Sequence, residues 1–298
     1  MDTVNDYRTG FVTLTGRTNV GKSTLLNRLV GHKVAAVTPR PQTTRRRIVG
    51  IRTDARAQII LIDTPGLHQP RGEMSRRMVE TARRCLAEGE ALVAVLAANA
   101  PLGGEDRALL DNVAALGRPV VAAINKIDLV GRERLMPLIA AVHALIPAAE
   151  IVPVSALKDD NIGELARVVA AMLPVGPPLM PGDEYTDQTE RMLAEELVRE
   201  KIFLAMREEI PFSTAARVEE FIDEPERNLT KIHALIIVER ESHKGMVIGA
   251  AGRQLKAIGT AARLELEEML GRRVFLELHV KVEKNWTSDP RKLTQLGL

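Results

Sequence analysis

Gly16-Arg-Thr-Asn-Val-Gly21-Lys22-Ser23-Thr24 stands directly after the apolar run of residues 11–15 and directly before Leu25-Leu-Asn-Arg-Leu-Val30. Two glycines framing four residues, then Lys and Ser, between a strand and a helix, is the pattern of a loop that wraps phosphate. The ligand dictates these residue types. The backbone N–H groups of Gly16, Arg17, Thr18, Asn19, Val20 and Gly21 can close around a β-phosphate, and the helix start at Thr24 adds a positive dipole. Lys22 reaches the β- and γ-phosphates, and the Ser23 hydroxyl ligates magnesium.

Working outward, each further motif sits at the end of an apolar run. Asp63-Thr-Pro-Gly66 follows residues 58–62; its carboxylate can hold magnesium and Gly66 can offer its N–H to a γ-phosphate. Asn125-Lys126-Ile127-Asp128 follows residues 120–124, where an Asp can accept hydrogen bonds from guanine N1 and N2, a donor pair that adenine lacks. Ser155-Ala156-Leu157 follows residues 151–154 and completes a base pocket. A kinase or ATPase has no need of a guanine-reading carboxylate, so Asn125–Asp128 separates this chain from those classes.

Short runs rich in Val, Ile and Leu at residues 11–15, 48–53, 58–62, 91–96, 120–124 and 151–154 alternate with amphipathic stretches. Such strands, separated by helices, predict an α/β domain with a mainly parallel sheet covered on both faces. Four prolines and two glycines between Pro174 and Gly182 forbid a continuous helix or central strand there. The expected organisation is a first domain at 1–174, a linker at 175–186 and a second domain at 187–298.

The whole chain has 298 residues, 45% hydrophobic and 27% charged, which suits two globular domains and excludes a disordered or fibrous protein. A single cysteine, Cys85, excludes an intramolecular disulfide framework. The longest apolar run, residues 91–98, falls far short of the ~20 residues that span a bilayer, and residues 1–16 lack the features of a secretion signal. A reducing cytoplasm is the expected compartment. The six histidines show no metal-ligand spacing. Net charge divides into +6 over residues 1–180, −9 over 183–226 and +5 over 227–298. A basic C-terminal stretch behind an acidic one suits either a nucleic-acid face or an ordinary solvated helix surface.

Beyond the linker, helical spacing at Ala194, Val198, Ile202 and Ala205 predicts a helix over 188–206. Strands follow at 215–222 and 230–240, then a short segment at 243–248, a glycine turn, a helix at 253–270 and a last strand at 274–282. The turn is Gly249-Ala250-Ala251-Gly252. With only 3% aromatic residues, any base recognition would rest on hydrogen bonds and aliphatic contacts.

The four motifs in this order resemble a translation-factor-type GTP-binding domain. Within that class, residues 42–51 (Gln-Thr-Thr-Arg-Arg-Arg-Ile-Val-Gly-Ile) and Asp63-Thr-Pro-Gly-Leu-His68 resemble the Era family of bacterial ribosome-assembly GTPases. The C-terminal element order is similar to that family's α+β type II KH domain, and Lys281-Val-Glu-Lys-Asn-Trp286 is similar to its closing strand. The resemblance covers residues 10–290. It implies a GTP-hydrolysing switch with GTP, GDP and magnesium as ligands. The implied partners are the 3′ region of small-subunit (16S) rRNA and the pre-30S particle, with no role for DNA, and a monomer is expected. It also carries a weak peripheral association with the inner face of the cell membrane, although the chain has no lipidation signal or basic amphipathic helix.

Carried over residue by residue, Thr44 becomes the switch threonine that ligates magnesium only with GTP, with Thr43 as the alternative; Lys22, Asp63 and Gly66 complete the catalytic set. Leu67, where many signalling GTPases carry a water-orienting glutamine, has no hydrogen-bonding group, so slow hydrolysis is expected. Asn19 matches an asparagine with which potassium-activated relatives hold a potassium ion; a turn residue held by its own side chain is the equal alternative. Arg45-Arg46-Arg47 reads either as charge for the transition state or RNA, or as a mobile solvated loop. In the second domain the GXXG loop, Gly249–Gly252, with Lys244, Gly245, Val247, Ile248, Arg253 and Lys256, would hold single-stranded RNA. Ala250 and Ala251 depart from relatives that carry a basic residue there. That departure leaves open a protein-binding module that has lost RNA. A GTPase attached to an enzyme acting on transfer RNA would need a further catalytic constellation, and none is legible after residue 174.

Overall fold

The computed structural model describes residues 6–66 and 69–298, so the readings placed on residues 1–5, Leu67 and His68 lie outside the described residues. The chain forms two compact units. The first gathers the residues up to Ala35, Thr44–Pro70 and Met78–Asp187; the second gathers Ala36–Thr43, Arg71–Arg77 and Gln188–Leu298.

In chain order the first elements are β1 (Arg8–Thr15), α1 (Lys22–Val30), β2 (Ile48–Thr53), β3 (Ala57–Asp63), α2 (Glu73–Glu88), β4 (Ala91–Ala97), α3 (Gly104–Ala115), β5 (Val120–Asn125), α4 (Arg132–Leu145), β6 (Glu150–Pro153) and α5 (Ile162–Met172). The six strands form one sheet in the order β2-β3-β1-β4-β5-β6. Only β2 runs antiparallel to its neighbour. The uninterrupted apolar character of β4 follows from burial on both sides. Val93 and Val95 point into a core shared with Leu25, Leu26 and Leu29 of α1 and Leu165 of α5. Leu92, Ala94 and Leu96 point the other way, onto Leu110 of α3 and Val142 of α4. An alternating strand with both faces covered reads as a run, as a central parallel strand should. Every loop that carries a motif leaves the carboxyl end of its strand, where an open α/β sheet places ligands.

The stretch expected as a linker, 175–186, is instead a strap laid along the first unit. Pro174 accepts from Thr9 N–H at 3.1 Å and Gly176 donates to Tyr7 at 2.9 Å. The fully buried Gln58 accepts from the N–H groups of Leu179 and Met180 and donates to the Met180 carbonyl, each at 2.8 Å. Farther on, Tyr185 accepts from Ile51 N–H at 2.9 Å, Thr186 Oγ1 donates to Val49 at 2.6 Å, and the Tyr185 ring stacks on His32 at 4.5 Å. Prolines limit the strap to one antiparallel bridge, Arg8 with Val175, but the residues around them still satisfy backbone groups of the sheet.

The second unit contains α6 (Glu190–Ala205), β7 (Ala215–Glu224), β8 (Leu229–Val238), α7 (Glu241–Ile248), α8 (Arg253–Leu270), β9 (Arg273–Val282) and a short α9 (Pro290–Gln295). Its sheet has the order β7-β8-β9, with β8 antiparallel to β7 and parallel to β9. One sheet face is buried under α6 and α8, through Ala194, Val198 and Ile202 on one helix and Ile258, Ala262 and Leu266 on the other. The α6 positions are those that the helical spacing selected, except Ala205, which is exposed. Trp286 is fully buried and donates its ring N–H to the Ser213 carbonyl at 3.0 Å, anchoring the chain after β9.

Candidate functional site

The six residues between β1 and α1 form a tight loop. Asn19 and Gly21 have φ of 63° and 98°. A Cβ added to Gly21 would lie 2.3 Å from Nδ2 of Asn125, so this close approach admits only glycine. Lys22 is buried and donates to the carbonyls of Gly16 at 2.9 Å and Arg17 at 2.8 Å. Burial pushes its ammonium down to about 8, with the Asp63 carboxylate acting in the opposite direction. Val20 is buried, Thr18 and Thr24 are half-buried, and Gly66 stands against the backbone of Thr18.

Three oxygens converge beside this loop. Ser23 Oγ lies 2.7 Å from Thr44 Oγ1 and donates to Asp63 Oδ2 at 2.6 Å, and Thr44 Oγ1 donates to the same carboxylate oxygen at 3.2 Å. Asp63 is fully buried, and its Oδ1 accepts no hydrogen bond among the described residues. Burial drives its carboxyl above the usual range, against the pull of Lys22. An all-oxygen set around a buried carboxylate with an unsatisfied lone pair suits a small, hard divalent cation. Magnesium therefore fits the residues present. Thr43, the alternative switch threonine, is bonded elsewhere, 2.6 Å from Thr38 Oγ1 and 2.9 Å from the Arg40 carbonyl.

The base-side motifs are tied to the same loop. Asn125 donates to Val20 at 2.9 Å and accepts from the N–H groups of Lys126 at 2.8 Å and Ala156 at 3.0 Å. Lys126 Nζ donates to the Asn19 carbonyl at 2.6 Å. Asp128 is exposed, with Oδ1 accepting from Ser155 Oγ at 2.6 Å. Arg28 of α1 braces the Ala156 and Leu157 carbonyls at 3.0 and 3.3 Å. The arrangement holds an exposed carboxylate with its orientation fixed, which is what reading guanine requires.

One expectation for basic groups changes. Arg45 is only 3% exposed and Arg47 pairs with Glu88 at 2.9 Å, so the arginine triplet is not a solvated loop. The Arg17 side chain turns to Asp106, with Nε donating to Oδ1 at 2.6 Å. Sequence reading did not select Asp106; its signal is an acid in the first turn after the Gly103-Gly104 break.

In the second unit, Gly249–Gly252 joins α7 to α8. Ala250 and Ala251 are exposed, as are Gly245, Arg253 and Lys256, while Lys244 and Ile248 are half-buried. Val247 is wholly buried against the core that contains Val198 and Ile236, so it supports the surface and cannot touch a base. Ala251 has φ 51°, a left-handed conformation that costs an alanine about 1 kcal/mol. Beyond the loop a groove runs between α8 and β9, lined by Leu255, Lys256, Gly259, Arg263, Leu276 and Leu278. A Cβ on Gly259 would meet Leu278 at 3.4 Å; a glycine inside a helical pattern is the sequence signal for such an approach. Arg273 N–H donates to Asn228 and Glu283 N–H to Val238, both toward β8. By strand alternation the N–H and C=O groups of Leu276 and Leu278 point to the open edge.

A family model described as a 50S ribosome-binding GTPase matches residues 11–126, and a KH domain model matches residues 209–287. GTPase Era of Nitratidesulfovibrio vulgaris is 46% identical over 99% of both chains, and GTPase Era of Geobacter metallireducens is 44% identical over 98% of both. Among solved structures, Aquifex aeolicus Era bound to GDP and AlF4− superposes with a TM-score of 0.94 at 41% identity, covering 97% of this chain and 99% of that one. A structure of Era in complex with MgGDPNP and nucleotides 1506–1542 of 16S ribosomal RNA also reaches 0.94 at 41% identity, over 98% and 99%. With both halves matched along nearly the full length, the chain belongs to the Era family of GTPases.

Proposed function

We propose that this chain is a GTP-hydrolysing switch that binds the 3′ end of 16S rRNA and assists assembly of the small ribosomal subunit. The carrying observation is the convergence of Ser23, Thr44 and Asp63 on one point beside Lys22. It occurs in a chain 41% identical to an Era solved with MgGDPNP and 16S rRNA.

The first unit takes the nucleotide. The loop of residues 16–21 closes around the phosphates, Lys22 neutralises charge that develops on them, and Asp128 selects guanine. Magnesium held by Ser23, Thr44 and Asp63 neutralises phosphate oxygens during transfer. Thr44 belongs to the connection between α1 and β2, so it reports whether the γ-phosphate is present: bonded to the ion in one state and released in the other. Asn19 is the proposed potassium residue, and equal turnover in potassium and sodium buffers would remove that role.

The second unit takes RNA, with backbone groups of the Gly249–Gly252 loop and Lys244, Arg253 and Lys256 on phosphates, and the groove edge at Leu276 and Leu278 on bases. An rRNA target supports a cytoplasmic location. Peripheral membrane association rests on the family resemblance alone, and co-sedimentation with anionic vesicles tests it.

The decisive experiment measures affinity for an RNA copying the 16S 3′ end and for a scrambled RNA, with the protein loaded with a non-hydrolysable GTP analogue or with GDP, at fixed salt. Selective binding that differs between the two states is expected, since a ligand shifts an equilibrium only through differential affinity. Weak, indifferent binding in both states would leave a nucleotide-gated protein-binding module in its place.

A further inference from the structure

Asp106 has both carboxylate oxygens engaged and is 2% exposed. Its Oδ2 accepts from Gly103 N–H at 3.0 Å, capping α3, and its Oδ1 accepts from Arg17 Nε at 2.6 Å. The cap alone does not need a charge, since a neutral Gln serves at the same third helical position in a capping box. The second oxygen reaches the phosphate loop, and Arg17 occupies a special place in it. The Arg17 carbonyl is one of the two oxygens that receive the Lys22 ammonium, at 2.8 Å beside 2.9 Å for Gly16. Asn125 and Lys126 grip the other half of the loop, at the Val20 and Asn19 carbonyls. The Asp106–Arg17 pair grips the half that aims Lys22.

We propose that Asp106 is a positioning residue for GTP hydrolysis, holding Arg17 so that the Arg17 carbonyl fixes the Lys22 ammonium over the transferred phosphoryl group. This rests on the GTPase reading above. Positioning matters because a misplacement of about 1 Å in a charge-stabilising group costs on the order of a hundredfold in rate. A charged tether that is loosened rather than removed should cost about tenfold.

The test compares the unaltered chain with Asp106→Asn, Arg17→Leu and the double variant. Asp106→Asn keeps an oxygen for Gly103 N–H, and Arg17→Leu leaves the α3 cap untouched. The readouts are kcat and KM for GTP with magnesium, normalised to bound-nucleotide stoichiometry, together with Tm. Each single variant should lose about tenfold in kcat with a smaller change in KM. The double variant should be no slower than the slower single one, because both substitutions cut the same tether. Arg17→Leu at the full rate, or losses that multiply in the double variant, would overturn the proposal while leaving the GTPase intact. No turnover by the unaltered chain would overturn the GTPase reading and this inference together.

Discussion

The loop of residues 16–21 precedes α1 and the loop of residues 249–252 precedes α8, and both set glycines at the start of a helix. They are held very differently. The first is gripped through the backbone carbonyls of Gly16, Arg17, Asn19 and Val20 by Lys22, Lys126 and Asn125, with Asp106 holding the Arg17 side chain. The second is exposed at Ala250 and Ala251 and braced by Arg253 Nε on the Ala250 carbonyl at 3.3 Å. The contrast matches the role proposed for each. A transferred phosphoryl group rewards sub-ångström placement of charge, whereas a polymer backbone is held by the sum of many loose electrostatic contacts.

Substitutions can break or sharpen this contrast. The largest effect should come from Lys22→Met, which removes the buried ammonium; GTP turnover followed by phosphate release should fall by about three orders of magnitude. Gly21→Ala should do nearly as much, because its Cβ cannot coexist with Asn125 at 2.3 Å. Asp128→Asn comes next: affinity for GTP in a competition assay should fall about a hundredfold while xanthosine triphosphate gains, since an amide donates where the carboxylate accepted. In the second unit, replacing Arg253 and Lys256 by Ala should weaken RNA binding about tenfold at low salt and flatten the salt dependence by about 0.7 per charge removed. Smallest is Ala251→Gly, which relieves φ 51° but loosens the unfolded chain, so thermal melting should show a gain of no more than about 1 kcal/mol. RNA affinity should move less than threefold. A hundredfold change there would mean that the second loop is as exacting as the first.

Much of this was legible in the sequence because its signals are local. The phosphate motif, Asp63–Gly66 and Asn125–Asp128 announce themselves by spacing at strand ends, and the pattern at Ala194, Val198 and Ile202 identifies the buried face of α6. What was not legible depends on partners far away in the chain. Arg17 and Asp106 are 89 residues apart, and nothing near either one predicts the pair. Val247 reads as an accessible apolar residue until the core around Val198 closes over it. Arg45 reads as solvated because three arginines in a row look like surface, yet it is 3% exposed. Proline-rich composition correctly excluded regular structure from 175–186 and could not say that Gln58 would hold that stretch down.

That hold determines where the chain can be cut. Ending it after Pro174 would strip the acceptor from Ile51 N–H, leave the buried Gln58 Oε1 without either of its donors and its Nε2 with Thr53 Oγ1 alone, and bare the β2 edge. Exposed strand edges of that kind recruit other chains and aggregate. Ending it after Asp187 keeps the whole strap. A stretch that composition marks as dispensable is thus the seal on a sheet, and an isolated nucleotide-binding fragment should be drawn to include it.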